Sequence, residues 1–144
     1  MGTGYSKIEQ EPRLVQELAG QELAQVSLGG FHSAAVTAGG EVLTWGGGSL
    51  GQLGHGNCEK QALPTVVKGL PPAKQVSCGG GHTAVVTQSG ELWMFGSNAE
   101  GQCGHDGVAT VRAPVLVDAF EGRRVLHVAC GGSKTAAIVE PAPE

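Results

Sequence analysis

Residues 78–96 of the chain read Cys78-Gly79-Gly80-Gly81-His82-Thr83-Ala84-Val85-Val86-Thr87-Gln88-Ser89-Gly90-Glu91-Leu92-Trp93-Met94-Phe95-Gly96. Two short apolar segments flank a turn that ends at Gly90. This pattern predicts a β-hairpin, because glycine takes the positive φ of a tight turn at little cost. The stretch continues to Gly101-Gln102-Cys103-Gly104.

A similar sequence occurs fifty residues earlier and runs from Leu28-Gly29-Gly30-Phe31-His32 to Gly51-Gln52-Leu53-Gly54. The offset is constant (for example, 79 − 29 = 50), and it relates Gly29, His32, Gly40, Trp45, Gly46, Gly51, Gln52 and Gly54 to Gly79, His82, Gly90, Phe95, Gly96, Gly101, Gln102 and Gly104. A third copy starts at Val128, contains Gly131, and has Lys134 in the histidine position. A period of about 50 residues is typical of a propeller blade.

The connecting segments repeat as well, around Pro12, Pro64 and Pro114, each with a bulky apolar residue six positions later (Leu18, Leu70 and Phe120). The repeat register divides the chain into the end of a preceding repeat with its connecting strand (1–25), two repeat units (26–75 and 76–127), the first strands of a third repeat (128–139) and a tail or linker (140–144). Met1-Gly2-Thr3-Gly4 matches the register of Leu53-Gly54-His55-Gly56, although Met-Gly-x-x-x-Ser, with Ser6, is also the N-myristoylation pattern.

Each unit is predicted to contain four short strands, which in the middle copy are Lys74–Cys78, Thr83–Thr87, Leu92–Phe95 and the segment led by Pro114. Proline cannot donate a ladder hydrogen bond, so the fourth strand should lie at the sheet edge or begin at Pro114, with Val115 and Val117 in the core. Residues 12–19 have helical spacing on their own. Their repeat partners contain Gly69, Pro71, Pro72 and Gly122, which favours a strand and loop.

Composition excludes several classes of protein. The 144 residues are 40% hydrophobic and 15% charged, as in a globular protein, and the 25 glycines compare with roughly ten expected from average usage. No apolar run reaches the roughly 18 to 20 residues of a transmembrane helix, and no leader resembles a signal peptide, so an intracellular protein, cytoplasmic or nuclear, is expected. A net charge of -4 argues against general nucleic-acid binding.

The residues that could carry chemistry favour structural roles, and no catalytic, cofactor or metal site is predicted. His32 and His82 occupy the same position in two repeats, which argues against a catalytic acid or base, because such a residue acts once in an asymmetric pocket. His55 and His105 also share a repeat position, in a loop, and the same argument gives them a structural role. Gly46 to Gly51 satisfies Gly-x-Gly-x-x-Gly, but no helix is expected to follow. A zinc site would require two loops to come together, one with His55 and Cys58 and the other with Cys103 and His105. The positions of Cys78, Cys103 and Cys130 in the repeat fit an apolar core instead.

The ordered pattern Gly-x-x-His-[Ser/Thr]-Ala-x-x-Thr, Gly-Glu-[Val/Leu]-x-x-[Trp/Phe]-Gly and Gly-Gln-[Leu/Cys]-Gly resembles the regulator of chromosome condensation repeat across nearly the whole chain. The departures are Phe95, Cys103 and Lys134. The resemblance implies an all-β fold, a partial β-propeller of four-stranded antiparallel blades forming an arc of a seven-bladed ring. Seven blades need about 350 residues, and about two and a half units are present.

The resemblance implies a non-catalytic protein-protein interaction module, with regulation of a small GTPase as its specific form. Alternatives are guanine nucleotide exchange on a Ran-type GTPase and a scaffold on chromatin or in the ubiquitin pathway. Only Arg112, Arg123, Arg124 and Lys134 hint at chromatin, and light sensing is disfavoured because the tryptophan cluster of the plant ultraviolet-B photoreceptor is missing. The uncovered arc implies a fragment completed by further blades, self-assembly, or an unstable product, and the fragment is favoured.

Overall fold

A computed structural model describes residues 10–142 of the chain, and within them the architecture is all-β. The first sheet contains β1 (Leu23–Leu28), β2 (His32–Thr37), β3 (Val42–Gly46) and β4 (Gln61–Val66). The second contains β5 (Ala73–Cys78), β6 (His82–Thr87), β7 (Leu92–Ser97) and β8 (Thr110–Leu116). The third contains β9 (Val125–Gly131) and β10 (Lys134–Val139). The predicted four-stranded antiparallel units are confirmed.

Some predictions lie outside the described residues: the register of Met1 to Gly4, the N-myristoylation pattern with Ser6, and the tail at 143–144. The division into units by repeat register stays a prediction, whereas in space the strands group as residues 23–66, 73–116 and 125–139. No helix within residues 10–142 is long and apolar enough to cross a membrane.

The hairpin turns form as the sequence predicts. Gly40 and Gly90 take φ values of 91° and 90°, a region that side chains with a Cβ rarely adopt. The Thr87 side chain supports its turn, because its Oγ1 accepts a hydrogen bond from the backbone N–H of Glu91 at 3.0 Å. The turn fixes the register in which His82 pairs with Gly96.

The fourth strands lie at the outer edges, as their prolines require. Of the two predicted alternatives the edge position holds, because β8 begins at Thr110 rather than at Pro114. The core placement of Val115 is wrong, since its side chain is exposed, whereas that of Val117 is buried as predicted. Residues two apart share a face only while the strand continues, and β8 ends at Leu116, so Val117 does not share the face of Val115. It enters the core from the connection that follows.

The strand predicted around Pro12 is absent. Residues 12–15 are irregular, and a single 3₁₀ turn follows at Gln16–Leu18, matched by another at Asp118–Phe120. A strand needs a neighbour for its backbone hydrogen bonds, and among the described residues none pairs with this segment. The helix suggested by local spacing is absent too, apart from that one turn.

The three sheets stack side by side in one arc, with β1, β5 and β9 as their first strands. One apolar core runs through the interfaces and includes Val76, Val86, Phe95 and Val128, all almost completely inaccessible. Turns tie the sheets at one end, because the carbonyls of Gly40 and Gly90 accept hydrogen bonds from the first residues of the next sheets, Ala73 at 2.9 Å and Val125 at 2.8 Å.

The arc is open at its start. Val76 and Cys78, on β5, are buried against the first sheet. The side chains in the same repeat positions of β1, Val26 and Leu28, are 58% and 74% exposed. This difference follows from the repeat geometry, because the described part of the chain places no sheet in front of β1.

Candidate interaction surface

The repeated histidines tie neighbouring sheets together. His32 Nε2 of the first sheet lies 2.7 Å from Thr83 Oγ1 of the second, and the Thr83 hydroxyl donates to the carbonyl of Gln52 at 2.7 Å. The same arrangement joins the second and third sheets, through His82 Nε2, Thr135 Oγ1 at 2.9 Å and the Gln102 carbonyl at 2.8 Å. Each histidine therefore bonds a threonine side chain in the next sheet.

These contacts fix the protonation of the imidazoles. A threonine hydroxyl has one proton, and because Thr83 donates it to a carbonyl, His32 Nε2 must carry the proton of the shared hydrogen bond. His32 Nδ1 is then unprotonated, and it is buried without a hydrogen-bond partner among residues 10–142. Burial, helped by the nearby His82, lowers the pKa of His32 from 6.5 to about 4. The unfolded chain takes up a proton on His32 below about pH 6.5, whereas the folded chain does so only near pH 4, so the stability of the fold decreases as the pH falls from 6.5 toward 4.

A second set of ties was not foreseen from the sequence. Gln25 Oε1 accepts a hydrogen bond from the backbone N–H of Val76 at 2.9 Å, and Ser27 Oγ accepts one from Cys78 at 3.0 Å. The second sheet repeats this with Gln75 to Val128 at 3.0 Å and Ser77 to Cys130 at 2.9 Å. The signal was present, since Gln-x-Ser recurs at the repeat offset.

Several repeated glycines provide room for these ties. A Cβ on Gly29 would lie 2.6 Å from the His32 ring, and one on Gly54 would lie 2.9 Å from the Phe95 ring. Such distances are too short for any side chain. Among the other signature glycines, positive φ values occur at Gly40, Gly46, Gly51, Gly90, Gly96, Gly101 and Gly104. Gly131 has neither a positive φ nor a close neighbour, so nothing in the structure explains its glycine.

The cysteines are unsuited to nucleophilic chemistry. Cys78 and Cys103 are buried, and burial raises the pKa of each thiol to about 12, which keeps it protonated. Cys130 is half-buried, while Cys58 is exposed and does not share the core position of the others. Within residues 10–142, no three histidine, cysteine or acidic side chains come close enough to hold a metal ion.

The loop histidines differ between copies. His55 Nε2 lies 3.0 Å from Thr44 Oγ1, which itself donates to the Leu53 carbonyl at 2.7 Å. In the second copy Met94 takes the place of Thr44, and the buried His105 Nε2 has no hydrogen-bond partner in the described part of the chain. The Gly46 to Gly51 segment leads from β3 into a turn rather than a helix, so it lacks the helix N-terminus that binds phosphate.

One end of the arc carries the longer loops, and we call it the loop face: residues 29–31, 47–60, 79–81, 98–109 and 132–133. Phe31 and Leu50 are 72% and 41% exposed there. Leu50 lies over Gly81, because a Cβ at Gly81 would meet its Cδ1 at 2.5 Å. The other copies have Gly81 and Ser133 in place of Phe31, and Glu100 in place of Leu50. Exposed aromatic and aliphatic side chains on such a face are typical of protein-binding sites.

The opposite end carries a groove at each sheet interface. The groove between the second and third sheets is about 640 Å³ and includes Leu92, Phe120, Arg123 and Arg124 in its lining; its equivalent between the first and second is about 340 Å³. Of the four basic residues noted in the sequence, only Arg123 and Arg124 come together. Arg112 lies on β8, and Lys134 begins β10.

Comparison with known families identifies the repeat. Two models described as "Regulator of chromosome condensation (RCC1) repeat" match this chain, one over residues 39–86 and 89–138, the other over 23–52 and 73–102. Among curated proteins, the E3 ubiquitin-protein ligase HERC2 of Homo sapiens is 43% identical over 70 residues, which is 49% of this chain and 1% of HERC2. The RCC1 domain-containing protein RUG3, mitochondrial, of Arabidopsis thaliana is 40% identical over 70 residues, 49% of this chain and 16% of RUG3.

Solved structures share the fold. Prp20p from Saccharomyces cerevisiae superposes with a TM-score of 0.79 at 19% identity, covering 88% of this chain and 33% of Prp20p. Human WBSCR16 gives a TM-score of 0.75 at 28% identity, covering 83% of this chain and 31% of WBSCR16. The chain thus spans about a third of these two structures and a much smaller part of HERC2. Its three sheets correspond to a partial β-propeller.

Proposed function

Because the chain belongs to the regulator of chromosome condensation (RCC1) repeat family, we propose that it is a non-catalytic protein-protein interaction module that regulates a small GTPase through its loop face. The observation that carries this proposal is the exposure of Phe31 and Leu50 at positions where the other copies have small or charged residues. Aromatic side chains such as that of Phe31 are enriched at protein interfaces, where a few buried anchor residues contribute most of the binding energy.

The repeated polar groups support a non-catalytic role. His32 and His82 are occupied by ties between sheets, and the buried thiols of Cys78 and Cys103 are held in the protonated form. A general base or a nucleophile needs a free, suitably ionised group in reach of a substrate. The geometry of the described residues therefore favours binding over catalysis. The proposed location is intracellular, either cytoplasmic or nuclear.

Regulation of a small GTPase draws on the family resemblance. The structure of Prp20p was described together with its binding properties to Gsp1p and histones, and nucleotide exchange is the activity that the resemblance implies. Exchange requires a surface that displaces nucleotide and no bond-making chemistry, which suits an exposed loop face. The same resemblance makes guanine nucleotide exchange on a Ran-type GTPase the sharper form of the proposal.

A ubiquitin-pathway scaffold is the second candidate, favoured by the match to HERC2, which is named as an E3 ubiquitin-protein ligase. The match covers repeat units, so it supports recruitment of a protein rather than transfer of ubiquitin. Chromatin association is less favoured, because of the four basic residues only Arg123 and Arg124 are adjacent, and their groove also contains Glu91, Asp118 and Glu121.

The test compares nucleotide release from candidate small GTPases with and without the full chain. Phe31→Ser and Leu50→Glu place at each position the residue of another copy, so the backbone should tolerate both. We expect release to be accelerated by the wild-type chain and the acceleration to fall roughly tenfold or more in the double variant, since contact residues of this kind contribute about 2 kcal/mol. Fluorescent GDP on the GTPase provides the measurement.

Lys68→Asp is the matched control, because it also exchanges a residue between copies but lies at the opposite end of the arc. It should leave the rate unchanged. Release that is unaffected by the wild-type chain for every GTPase tested would contradict the GTPase role. Partner binding that survives the double variant intact would contradict the loop face as the binding site.

A further inference from the structure

The loop of residues 98–109 carries an exposed aspartate that is followed directly by glycine, Asp106 and Gly107, on the loop face. Gly107 has a φ of 80°, and a Cβ added there would meet no atom within 4 Å. Within residues 10–142, the backbone N–H of Gly107 donates no hydrogen bond, and the Asp106 carboxyl group has neither a hydrogen-bond partner nor an ion-pair partner. Both groups are therefore free to react with each other.

An aspartate that precedes a glycine reacts with its own backbone. The nitrogen of Gly107 attacks the side-chain carbonyl carbon of the protonated Asp106 carboxyl group. A C–N bond forms, a C–O bond breaks, and the hydroxyl group leaves with the nitrogen's proton as water, which gives a five-membered succinimide ring. The reaction is intramolecular, so the two groups are already held together. Glycine favours it, because glycine has no Cβ to crowd the nitrogen and reaches a wide range of backbone angles.

Water then opens the succinimide at either of its two carbonyls. Opening at the former side-chain carbonyl restores aspartate. Opening at the backbone carbonyl leaves Gly107 joined through the former side chain of Asp106, with a free α-carboxylate, and this product is isoaspartate. One water is lost and one is regained, so the rearrangement needs no oxidant, reductant or other co-reactant.

The other described residues lack this combination of features. Asp118 is followed by alanine, and both lie in the 3₁₀ turn Asp118–Phe120, where a methyl group and a fixed backbone oppose the attack. Glu121 precedes Gly122, which is as open as Gly107, with a φ of 77° and no atom within 4 Å of an added Cβ. Glutamate, however, would have to close a six-membered ring, which is slower. No asparagine in the chain precedes a glycine.

Asn98 holds the backbone on both sides of the reactive position. Its Nδ2 donates to the carbonyl of His105 at 2.6 Å and to the carbonyl of Val108 at 2.7 Å. Its Oδ1 accepts a hydrogen bond from the backbone N–H of Cys103 at 3.0 Å, and Asn98 itself is buried. Isoaspartate places an additional carbon atom in the main chain between the His105 and Val108 carbonyls. The longer chain no longer fits two carbonyls that are held by one amide nitrogen.

We propose that the bond between Asp106 and Gly107 converts spontaneously to an isoaspartyl bond, and that the conversion releases the loop from Asn98 and reshapes the loop face. The enzymes whose chemistry fits the product are carboxyl methyltransferases, which transfer the methyl group of S-adenosylmethionine to the free α-carboxylate and leave S-adenosylhomocysteine. The methyl ester then loses methanol and forms the succinimide again. The site is independent of the proposed GTPase role, because the rearrangement requires only water.

The test incubates the full chain at neutral pH for several weeks, followed by trypsin digestion and mass spectrometry with electron-transfer fragmentation, which distinguishes isoaspartate from aspartate. Cleavage after lysine and arginine separates the positions to be compared, because residues 75–112 contain Asp106, whereas residues 113–123 contain both Asp118 and Glu121. Isoaspartate is expected to accumulate at Asp106. Asp118 and Glu121 should stay unchanged over the same period.

Gly107→Ala tests the open glycine directly. The added methyl group crowds the attacking nitrogen without meeting another residue, so conversion at Asp106 should slow severalfold. Gly122→Ala is the matched control, because Gly122 has a similar positive φ and equally open surroundings, and conversion at Asp106 should proceed as in the wild type. In the converted fraction, the side-chain amide signals of Asn98 in nuclear magnetic resonance spectra should shift.

A free peptide with the sequence of residues 103–110 provides the rate without the fold. Conversion that is roughly tenfold or more slower in the folded chain than in this peptide would overturn the proposal, because the fold would then protect the bond. Equal accumulation at Asp118, or a Gly107→Ala chain that converts as fast as the wild type, would overturn it as well. Unchanged Asn98 amide signals in the converted fraction would overturn the release of the loop. These outcomes leave the loop-face proposal to its own nucleotide-release test.

Discussion

Replacing Phe95 by alanine is expected to lower the free energy of unfolding by roughly 3 to 5 kcal/mol, the usual cost of removing a fully buried aromatic ring. Phe95 is 0% exposed and packs against Gly54 of the preceding sheet. The surroundings cannot fill the space that the ring leaves, because the glycine opposite it has no side chain that could move into the cavity. Urea denaturation followed by circular dichroism measures the loss, which is a large share of the stability of a small domain.

Leu63→Ala is the control for this loss. Leu63 lies on the outer strand β4 and is 41% exposed, so its truncation should change the free energy of unfolding by no more than about 0.5 kcal/mol. If Phe95→Ala lowered the free energy of unfolding as little as Leu63→Ala, the contact of Phe95 with Gly54 would not hold one sheet on the next.

Replacing Thr83 by valine is expected to lower the free energy of unfolding by about 2 to 6 kcal/mol, although the side chain keeps its size. The Thr83 hydroxyl is the acceptor for His32 and the donor to the Gln52 carbonyl, and all three residues are buried. Valine leaves two buried polar groups without partners, each of which costs about 1 to 3 kcal/mol. The same denaturation experiment measures it.

Two comparisons sharpen this prediction. Thr135→Val breaks the equivalent tie of His82, but Thr135 is half-buried, so water can replace part of the lost bonding and the cost should be smaller. Thr65→Val removes a hydroxyl that bonds only the nearby Leu63 carbonyl in an exposed setting, and it should be nearly neutral. Equal losses for Thr83→Val and Thr65→Val would contradict the tie between sheets.

Much of the fold could be predicted because the repeat carries the information twice. A constant offset of 50 places His82 and Gly90 in known relation to His32 and Gly40, and local turn chemistry then orders the strands. The prolines predict that the fourth strand lies at the edge of the sheet, because proline has no backbone N–H to donate to a second neighbouring strand. These features depend on neighbours in sequence or on repetition, and both can be read without coordinates.

The contacts between sheets could not be read in the same way. His32 and Thr83 are 51 positions apart, and only the stacking of two sheets brings them to 2.7 Å. Val115 is exposed although Val117 is buried, because the strand ends before Val117. The strand and loop predicted around Pro12 lack the strand, because no described residue pairs with that segment. Exposure of Phe31 and Leu50 depends equally on how the loops of two units meet.

The division between repeated and divergent residues organises the functional interpretation. Polar residues that recur, such as His32 and Gln25, are used to join the sheets, which explains why they need not act on a substrate. Residues that differ between copies, such as Phe31 and Leu50, are exposed on loops. Binding is therefore proposed where the copies diverge, whereas the repeated histidines serve to join the sheets.

Nuclear magnetic resonance of the histidine ring nitrogens during a pH titration tests whether the repeated histidines join the sheets. His32 and His82 should both be neutral at pH 7 with the proton on Nε2, and His32 should stay neutral until the pH approaches about 4. The pKa of His82 should also lie below 6.5, because burial lowers it. Titration of both rings near pH 6.5, or a proton on Nδ1 at neutral pH, would show that the histidines do not make these contacts between sheets.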